Sequence, residues 1–520
     1  MAFTDANITP DFTQSPPQAF NPFTSNNPFC STYFQGRQIY GGTQNSVAQL
    51  NFSRSSDFQN MDYSSPSRAN DSITVTLTSQ QVNAIKFLVP MISLVVMTGS
   101  SAWAVDDGTS LGVITPTSIV ANPQVYTGCA DVPPLIIEHD ILYVQAKGSV
   151  VRDLVYNFYV RVYTGADMSV MANHLFFGHQ ITEWCWAMEP HRVVWCIRDD
   201  GLMLSFTYLK DQEIYAWARH DTSGLYKSIC TISEGQEDAV YVIVSRLVNG
   251  QYLQYIERVQ SRNLGGDPSI GIPGDVEKSW FVDAGLQYTQ PTFTQSLTPS
   301  ALTGSITLTA GTAVFTLVTD IGKVIRVNGG IMTVTAVTST TVVLATTTRN
   351  LTSLWPSTSW TMTLPVSAVS GLNHLEGSTV SILADGNVQA SQVVTSGAIT
   401  LQQAASAIVV GLPYQAQIKT LAIDVNTEPT LQGRRKKVPA VTLRVLNTRG
   451  LKVGPTFTKL VEIKERNIQP MGQPVQLITS DERVLTASDY DVQGIVCIQQ
   501  DYPLPATITA IIPELTAGDS

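Results

Sequence analysis

Two clusters of ionisable residues are the first candidates for chemistry in this sequence. Asp199 and Asp200 could form a carboxylate pair of the glycosidase type, and Glu138, His139 and Asp140 could form an acid–base cluster. A glycine follows the two aspartates between two apolar segments, which is more typical of a hairpin turn. Neighbouring residues of a strand point to opposite faces, so His139 would diverge from both acids. Neither cluster therefore predicts catalysis.

Other signatures of enzymes and metal sites are also missing from the sequence. The six histidines show no spacing typical of a metal-binding helix, and no GxSxG, HExxH, P-loop or helix-opening GxGxxG motif occurs. Six cysteines without a CxxC pair do not indicate a zinc site or a disulfide framework. We therefore predict no catalytic residue, no cofactor and no metal site, and a protein that is not an enzyme.

Four tryptophans of one region could form an aromatic platform for a sugar: Trp184, Trp186, Trp195 and Trp217. A hairpin loop at Met188–Arg192 predicts that Trp186 faces Trp195 on one side of the sheet and Cys185 faces Cys196 on the other. Alternation within hairpins places at least half of the tryptophans in a core. A buried sheet centre is therefore the preferred interpretation, and a disulfide between the two cysteines is disfavoured in a cytosol.

One strongly basic segment interrupts an acidic chain. The net charge is −10, but ten basic and three acidic residues give the segment 426–470 a charge of +7, so the rest carries −17. Its densest part is Arg434, Arg435, Lys436 and Lys437. One interpretation is a solvated loop, and the other is a contact with an acidic partner subunit or with DNA phosphate. The acidic total disfavours a general role in coating nucleic acid.

The elements that would position these residues are short β segments. Charged residues make up 14% of the chain, against about 25% in ordinary globular proteins. Segments of four to eight residues rich in Val, Ile, Thr and Tyr alternate with turn dipeptides such as Asn249–Gly250 and Asp385–Gly386. Convincing helical stretches are few, and Gln80–Phe87 and Gly165–Leu175 are the best candidates. The predicted fold class is therefore all-β and multi-domain.

Changes in residue composition along the chain predict five regions. Residues 1–30 are predicted to form an extended arm, and 31–260 a β-propeller-like or sandwich domain of successive antiparallel hairpins. Residues 261–300 are predicted to form a polar linker, and 301–364 a small inserted β-barrel or sandwich rich in Thr and Val. Residues 365–520 are predicted to complete the chain with further β units. Because there is no basic and apolar leader and no apolar run of roughly 20 residues, we expect neither secretion nor a membrane span.

A series of short motifs, in order along the chain, resembles the tail nozzle proteins of short-tailed bacteriophages. The motifs are Tyr33–Arg37, Gly41–Thr43, Ser53–Phe58, Ser79–Ile85, Leu88–Pro90, Gly99–Trp103, Val144–Gln145, Gly148–Leu154, Asp199–Gly201, Trp217–Asp221, Glu234–Asp238 and Ile256–Arg258. Residues 301–364, with Gly322–Arg326 and Trp360, resemble the FCCH-like β domain of phage tail chains. The segment from His374 to Ile508 resembles the C-terminal platform of the same group.

The resemblance implies a structural virion protein in the phage tail, assembled in the host cytoplasm. Such a protein would be a homo-oligomer, expected to be a hexamer, that forms a ring-shaped channel for DNA ejection. It would contact adaptor or portal-proximal proteins and anchor tail fibres or spikes. Only about 30 residues precede the Tyr33 motif, fewer than in relatives, so the propeller could be smaller, open, or completed by another subunit.

Two other functions compete with this one. A receptor-binding or glycan-degrading tail protein would need a trimeric β-helix signature or a convergent carboxylate pair, and neither is visible in the sequence. A carbohydrate-binding protein unrelated to tails would bind glycans without forming rings. The number of copies in a particle, six against three, separates the first two hypotheses.

Overall fold

The computed structural model describes residues 13, 15, 17–78, 81–109, 112–266, 273–288, 290–424, 432–464, 466 and 474–518. In these residues the chain is almost entirely antiparallel β-structure with a few short 3₁₀ helices, which confirms the predicted all-β, multi-domain fold class. The chain divides into two compact units: Met1–Arg246 with Gln254–Val259, and Leu247–Leu253 with Gln260–Ser520. No helix in the described ranges is both long and apolar enough to cross a membrane.

The first unit is built from five successive antiparallel sheets, which we name A to E. Within each sheet the strands lie side by side in chain order, as in a meander. Sheet A contains β1 (Pro28–Phe34), β2 (Arg37–Thr43), β3 (Gln49–Phe52) and β4 (Ile73–Thr76), and sheet B contains β5 (Ile85–Pro90), β6 (Leu94–Thr98), β7 (Ala102–Asp106) and β8 (Val120–Val125). Sheet C contains β9 (Leu135–Ile137), β10 (Asp140–Val144), β11 (Val151–Asn157) and β12 (Val162–Thr164), and sheet D contains β13 (Ile181–Ala187), β14 (Val193–Arg198), β15 (Met203–Leu209) and β16 (Ile214–His220). Sheet E contains β17 (Leu225–Glu234), β18 (Glu237–Val248) and β19 (Gln251–Arg258).

Each sheet of this unit packs face to face on the next one. In β6, Leu94 and Val96 belong to the core between sheets A and B, whereas Val95 and Met97 belong to the core between sheets B and C. Successive side chains of a strand point to opposite faces, so an uninterrupted apolar strand can serve two cores. Two further cores join sheet C to D and sheet D to E. Such a stack of meanders is compatible with the predicted propeller-like region.

The second unit contains the remaining strands in five sheets. The first of these sheets is formed by β20 (Asp283–Gln287), β32 (Ile408–Leu412), β29 (Thr379–Ala384) and β30 (Asn387–Val393), and β28 (Val366–Ser370) pairs with β31 (Ala398–Ala405). A seven-stranded sheet is formed, in spatial order, by β21 (Thr292–Phe293), β27 (Trp360–Thr363), β24 (Val324–Val327), β25 (Gly330–Val337), β26 (Val342–Arg349), β23 (Ser305–Ala310) and β22 (Leu297–Pro299). The last two sheets are formed by β33 (Ala416–Lys419), β38 (Cys497–Gln500), β35 (Leu451–Thr456) and β36 (Lys459–Glu462), and by β37 (Ile478–Leu485), β34 (Lys436–Thr448) and β39 (Ile508–Ala517).

The seven-stranded sheet forms a small β domain with its own core. Trp360 lies at its centre, stacked on Phe293 with ring centroids 4.4 Å apart. Two of its strands, β21 and β22, lie in the segment 261–300 that the sequence predicted to be a linker. The domain therefore starts about ten residues earlier than predicted, because polar residues such as Thr292 and Thr298 pair in its edge strands.

Buried and partly buried ion pairs fix this small domain to segments on either side of it in the same unit. Arg326 in β24 donates to Glu277 at 2.7 Å and to Asp385 at 2.9 Å. Arg349 in β26 binds Asp275 through both terminal nitrogens, at 2.9 and 3.0 Å. Burial raises the pKa of Glu277 despite the nearby Arg326 guanidinium. The pair with Glu277 holds the domain in one orientation, since Arg326 would leave this buried carboxylate uncompensated if it moved away.

The described residues contain the predicted hairpin turns but not the predicted α-helices. Asp385–Gly386 and Asn249–Gly250 do form hairpin turns with positive φ at both residues, as their sequence predicts. The helix predicted at Gln80–Phe87 is wrong, because Ile85 already begins β5. At Gly165–Leu175 only a short 3₁₀ segment forms. The described 3₁₀ helices are Val170–Leu175, Lys210–Gln212, Val276–Lys278 and Asn373–Leu375.

Candidate functional site

The predicted basic contact site lies at the start of β34, and its four residues differ in exposure. Arg435 is exposed, Arg434 and Lys437 are half-buried, and Lys436 is 1% exposed. Strand alternation explains the difference, because Val438 on the same strand face as Lys436 belongs to the core of this sheet. The four side chains therefore do not form one continuous basic surface.

Lys436 has an internal role, so its predicted contact with a partner or DNA needs correction. Its ammonium group donates to the Ile423 carbonyl at 2.6 Å and to the Asp424 carboxylate. Its backbone pairs with Asp491 on one side and lies in register with Ala517 on the other. A buried cation with its partners satisfied inside the chain cannot also bind phosphate or another subunit.

Four of the ten cations in 426–470 form ion pairs with acidic residues from elsewhere in the sequence. Arg444 binds Asp481 through two nitrogens, at 2.8 and 2.9 Å, and this hydrogen bonding raises the pKa of the arginine. Lys452 donates to Asp501 at 2.7 Å. Further ion pairs of this kind are Lys459–Asp489 and Lys436–Asp424. The sequence count of +7 thus overstates the local field, because the acidic partners stand outside the counted window.

Three cations at this end of β34 remain as the candidate contact set. Among the residues that the structure describes, Arg434, Arg435 and Lys437 form no ion pair. They lie beside the end of β39, where Gly518 donates to the carbonyl of Arg435 and Lys437 lies in register with Thr516. We name Arg434, Arg435 and Lys437 the basic edge.

A cavity of about 410 Å³ lies near other cations of the same basic segment. Its lining residues are Arg449, Glu462, Ile463, Lys464, Arg466 and Val475. Arg449 is buried and already donates to the carbonyls of Gly386 and Val475, at 3.0 and 3.1 Å. Its guanidinium therefore joins segments of the fold and is not presented to a ligand.

The Asp199–Asp200 pair forms a hairpin turn between β14 and β15, and the structure adds a histidine that the sequence did not indicate. His179 Nδ1 lies 3.0 Å from Asp199, and its Nε2 lies 3.8 Å from Asp200. These three residues could supply ligand atoms for a metal ion. Arg198 also binds Asp200, however, and this hydrogen bond lowers the pKa of the aspartate. The arginine neutralises part of the charge that would attract a cation.

The Glu138–Asp140 cluster does not converge. Glu138 and His139 form the tight turn between β9 and β10, and Glu138 has a positive φ. Asp140 is buried and accepts hydrogen bonds from Tyr208 at 2.8 Å and from Lys210. Burial and the hydrogen bond to Asp140 raise the pKa of Tyr208. Asp140 therefore joins sheet C to sheet D, and no sequence pattern indicates its partners.

The tryptophan cluster forms part of the core, as preferred in the sequence interpretation, but the predicted register is wrong by one residue. The loop is at Met188–Arg192 as expected, and Ala187 pairs with Val193 across it. This register pairs Trp184 with Cys196 and places Cys185 opposite Trp195. Cys196 and Cys185 consequently belong to different cores.

The two ends of the five-sheet stack each present a sheet face with exposed apolar side chains. On sheet A this outer face carries Phe29 and Tyr33, and the Tyr33 ring contacts Phe58 in an edge-to-face arrangement at 5.2 Å. On sheet E the outer face carries Ile232 and Ile256. We name these surfaces the A face and the E face.

Comparison with known proteins does not identify this chain. No protein-family model and no curated protein matches it. A solved structure of a luciferin-regenerating enzyme covers 50% of this chain and 97% of its own chain, at 8% sequence identity and a TM-score of 0.21. A TM-score this low carries no argument about fold or function.

Proposed function

We propose that the chain is a structural subunit of a phage tail nozzle or tube, which forms a ring-shaped channel for DNA ejection and anchors neighbouring tail components. The observation that carries the proposal is the ordered series of motifs from Tyr33 to Ile508 that resembles such proteins. The all-β architecture, with blade-like sheets followed by a small β domain and further sheets, is compatible with it.

The low charge and the sheet architecture support a role in assembly. A ring subunit needs wide contacts whose centres are depleted of charged residues and enriched in aromatic ones. The A face, with Phe29 and Tyr33, has this composition. The acidic remainder of the chain would repel DNA phosphates and so prevent DNA from sticking in a channel.

The basic edge is the second element of the proposal. Arg434, Arg435 and Lys437 would contact an acidic neighbouring tail component or passing DNA, since the described acids leave these cations unpaired. Such a contact would be mainly electrostatic, so it should weaken as the salt concentration rises.

Cryo-electron microscopy of the concentrated full-length protein tests the proposal most directly. We expect rings of six copies with a central bore, and light scattering should give a matching mass. Monomers at all concentrations, or trimers without a bore, would overturn the proposal and favour a receptor-binding or glycan-degrading protein.

The basic edge is tested separately by the triple variant Arg434→Ser, Arg435→Ser and Lys437→Ser. We expect normal folding and weaker attachment of the ring to acidic tail components or DNA at low salt. The matched control removes three exposed lysines from other surfaces: Lys147→Ser, Lys227→Ser and Lys419→Ser. Equal attachment of the two triple variants to acidic tail components or DNA would contradict a specific role of the basic edge.

A further inference from the structure

The five-sheet stack of the first unit covers both faces of its inner sheets but only one face of its end sheets. Sheets B, C and D each contribute apolar residues to two cores. Sheet A contributes to one core through residues such as Ile39, and sheet E to one core through residues such as Val242. Within the described residues, no apolar core joins sheet E to sheet A.

The E face has the composition of a surface that another sheet would cover. In the register of β17 and β18, Cys230 lies opposite Tyr241, and Ile232 lies opposite Ala239. These residues alternate with Ile229, which points into the core with sheet D. Ile232 is 50% exposed, and Cys230 is also exposed.

The edge of the E face carries charges that balance each other. Glu234 accepts hydrogen bonds from Arg258 at 3.0 Å and from the Tyr241 hydroxyl. Ile256, two residues before Arg258 on β19, is 77% exposed. The surface is thus an apolar centre with a neutralised polar rim, as protein–protein interfaces commonly have.

The A face differs from the E face in chemistry. Tyr33 is 62% exposed, and Phe29 and Phe58 are exposed beside it. Part of the same sheet face is covered by the chain itself, since the Phe23 ring lies 4.6 Å from Tyr40. The uncovered part is therefore the aromatic surface along β1.

We propose that the A face of one copy of this chain packs against the E face of the next copy, so that the blade stack continues between subunits. This inference deepens the proposed function and rests on it. The occupant is another copy because each inner sheet face is already covered by a sheet of this same stack, and an end face offers the same kind of surface. The aromatic A face and the aliphatic E face are different surfaces, so a contact between them is heterologous. Heterologous contacts form a closed ring when the rotation from one copy to the next divides a full turn evenly.

The main structural alternative is that the A face and the E face of the same chain pack against each other and close the stack. It would bury Tyr33 and Ile256 against each other's sheets, whereas both side chains are more than half exposed. An unlike tail protein on either face is the other alternative. The experiment below separates these three outcomes.

Cysteine cross-linking tests the contact in the full-length chain. Cys230 provides a natural thiol on the E face, and Ser31→Cys adds one of similar size on the A face between Phe29 and Tyr33. The concentrated protein is treated with a short bismaleimide and analysed on a denaturing gel and by mass spectrometry. We expect a ladder of covalent oligomers whose linked peptides contain positions 31 and 230.

Mixing two variants distinguishes contacts between copies from contacts within one. Ser31→Cys combined with Cys230→Ser is mixed with the native chain, so that a link between positions 31 and 230 can form only between two copies. A covalent dimer containing this link supports the proposal. A linked monomer of the Ser31→Cys variant, with no dimer in the mixture, would show closure within one chain and overturn it.

Two controls complete the experiment. Ser305→Cys places an exposed strand cysteine on the small β domain, and it should give no comparable ladder with Cys230. Ile256→Asp should raise the concentration needed for ring formation roughly tenfold or more, because it puts a charge into the apolar contact. Val318→Asp, at an exposed site of the small β domain, should leave that concentration unchanged.

Failure of this inference can be told apart from failure of the proposed function. Rings with a bore but without a 31–230 link would overturn the A-to-E contact and leave the nozzle proposal intact. Absence of rings in the native chain would overturn both. A ladder that appears only after an unlike tail protein is added would also refute a contact between copies.

Discussion

Lys436 provides a sharp test of the structure because the sequence places it in a run of four cations. Its side chain is buried, and its ammonium group donates to the Ile423 carbonyl and to Asp424. Replacement by Met keeps most of the apolar stem but removes these hydrogen bonds. Hydrogen bonds of charged groups contribute about 1.5–3 kcal/mol each to stability, and Asp424 is exposed enough to regain water. We therefore expect Lys436→Met to lower the free energy of unfolding by about 1.5–3 kcal/mol.

Lys436→Ser should destabilise the protein further. It removes about three more buried methylene groups, each contributing about 0.8 kcal/mol, so the total loss should be about 4–5 kcal/mol. Arg435→Ser, one residue earlier and exposed, should change the free energy of unfolding by no more than about 0.5 kcal/mol. The assay is urea unfolding followed by circular dichroism, with hydrogen exchange of peptides from β34 as a local measure. Equal stability of the Lys436→Met and Arg435→Ser variants would refute the buried position of Lys436.

Three further predictions concern other parts of the fold. Arg326→Leu should destabilise the second unit by about 3–5 kcal/mol in denaturant unfolding because it leaves the buried carboxylate of Glu277 uncompensated, whereas Arg326→Lys should cost less. Asp71 is buried; burial acts to raise its pKa, but hydrogen bonds from Ser64 and from the Arg68 backbone lower the pKa overall. Its ionised form should therefore stabilise the fold above pH about 4, and this contribution should disappear as the pH falls through the lowered folded pKa, so thermal unfolding of native and Asp71→Asn proteins should converge in acid. Iodoacetamide at pH 8 should modify the exposed Cys230 first, since burial raises the pKa of Cys185 to about 11, and mass spectrometry of the intact and unfolded protein checks this order.

The sequence predicts those features that depend on local pattern. Short β segments and turn dipeptides such as Asp385–Gly386 give the all-β class, because alternation and positive-φ turns are local properties. The tryptophan region was correctly predicted to be a buried sheet. Its register was missed by one residue, although the loop was placed correctly, and pairing Ala187 with Val193 across that loop corrects it.

Contacts between segments that are distant in the sequence cannot be predicted from local pattern. His179 reaches the Asp199 turn from a separate loop, and Asp140 meets Tyr208 across two sheets. No period or motif in the sequence relates these positions. Lys436 is different, since the alternation of Val438 and Ala440 can be extended back by two residues to the same buried face. A count of charges does not contain that signal, because it treats four adjacent cations as one surface.

The acidic and basic parts of the chain relate to function through the distances between their charges. A window count treats charge as a property of a segment, but electrostatic attraction depends on the distance between charges, so acids far along the sequence can neutralise a basic window. Arg444 and Lys452 are neutralised in this way by Asp481 and Asp501. The three cations of the basic edge form no ion pair among the described residues, so they remain for recognition. If the chain does build a tail channel, specific electrostatic attachment should therefore depend on three side chains at one end of β34, while the wider contacts between subunits depend on apolar sheet faces.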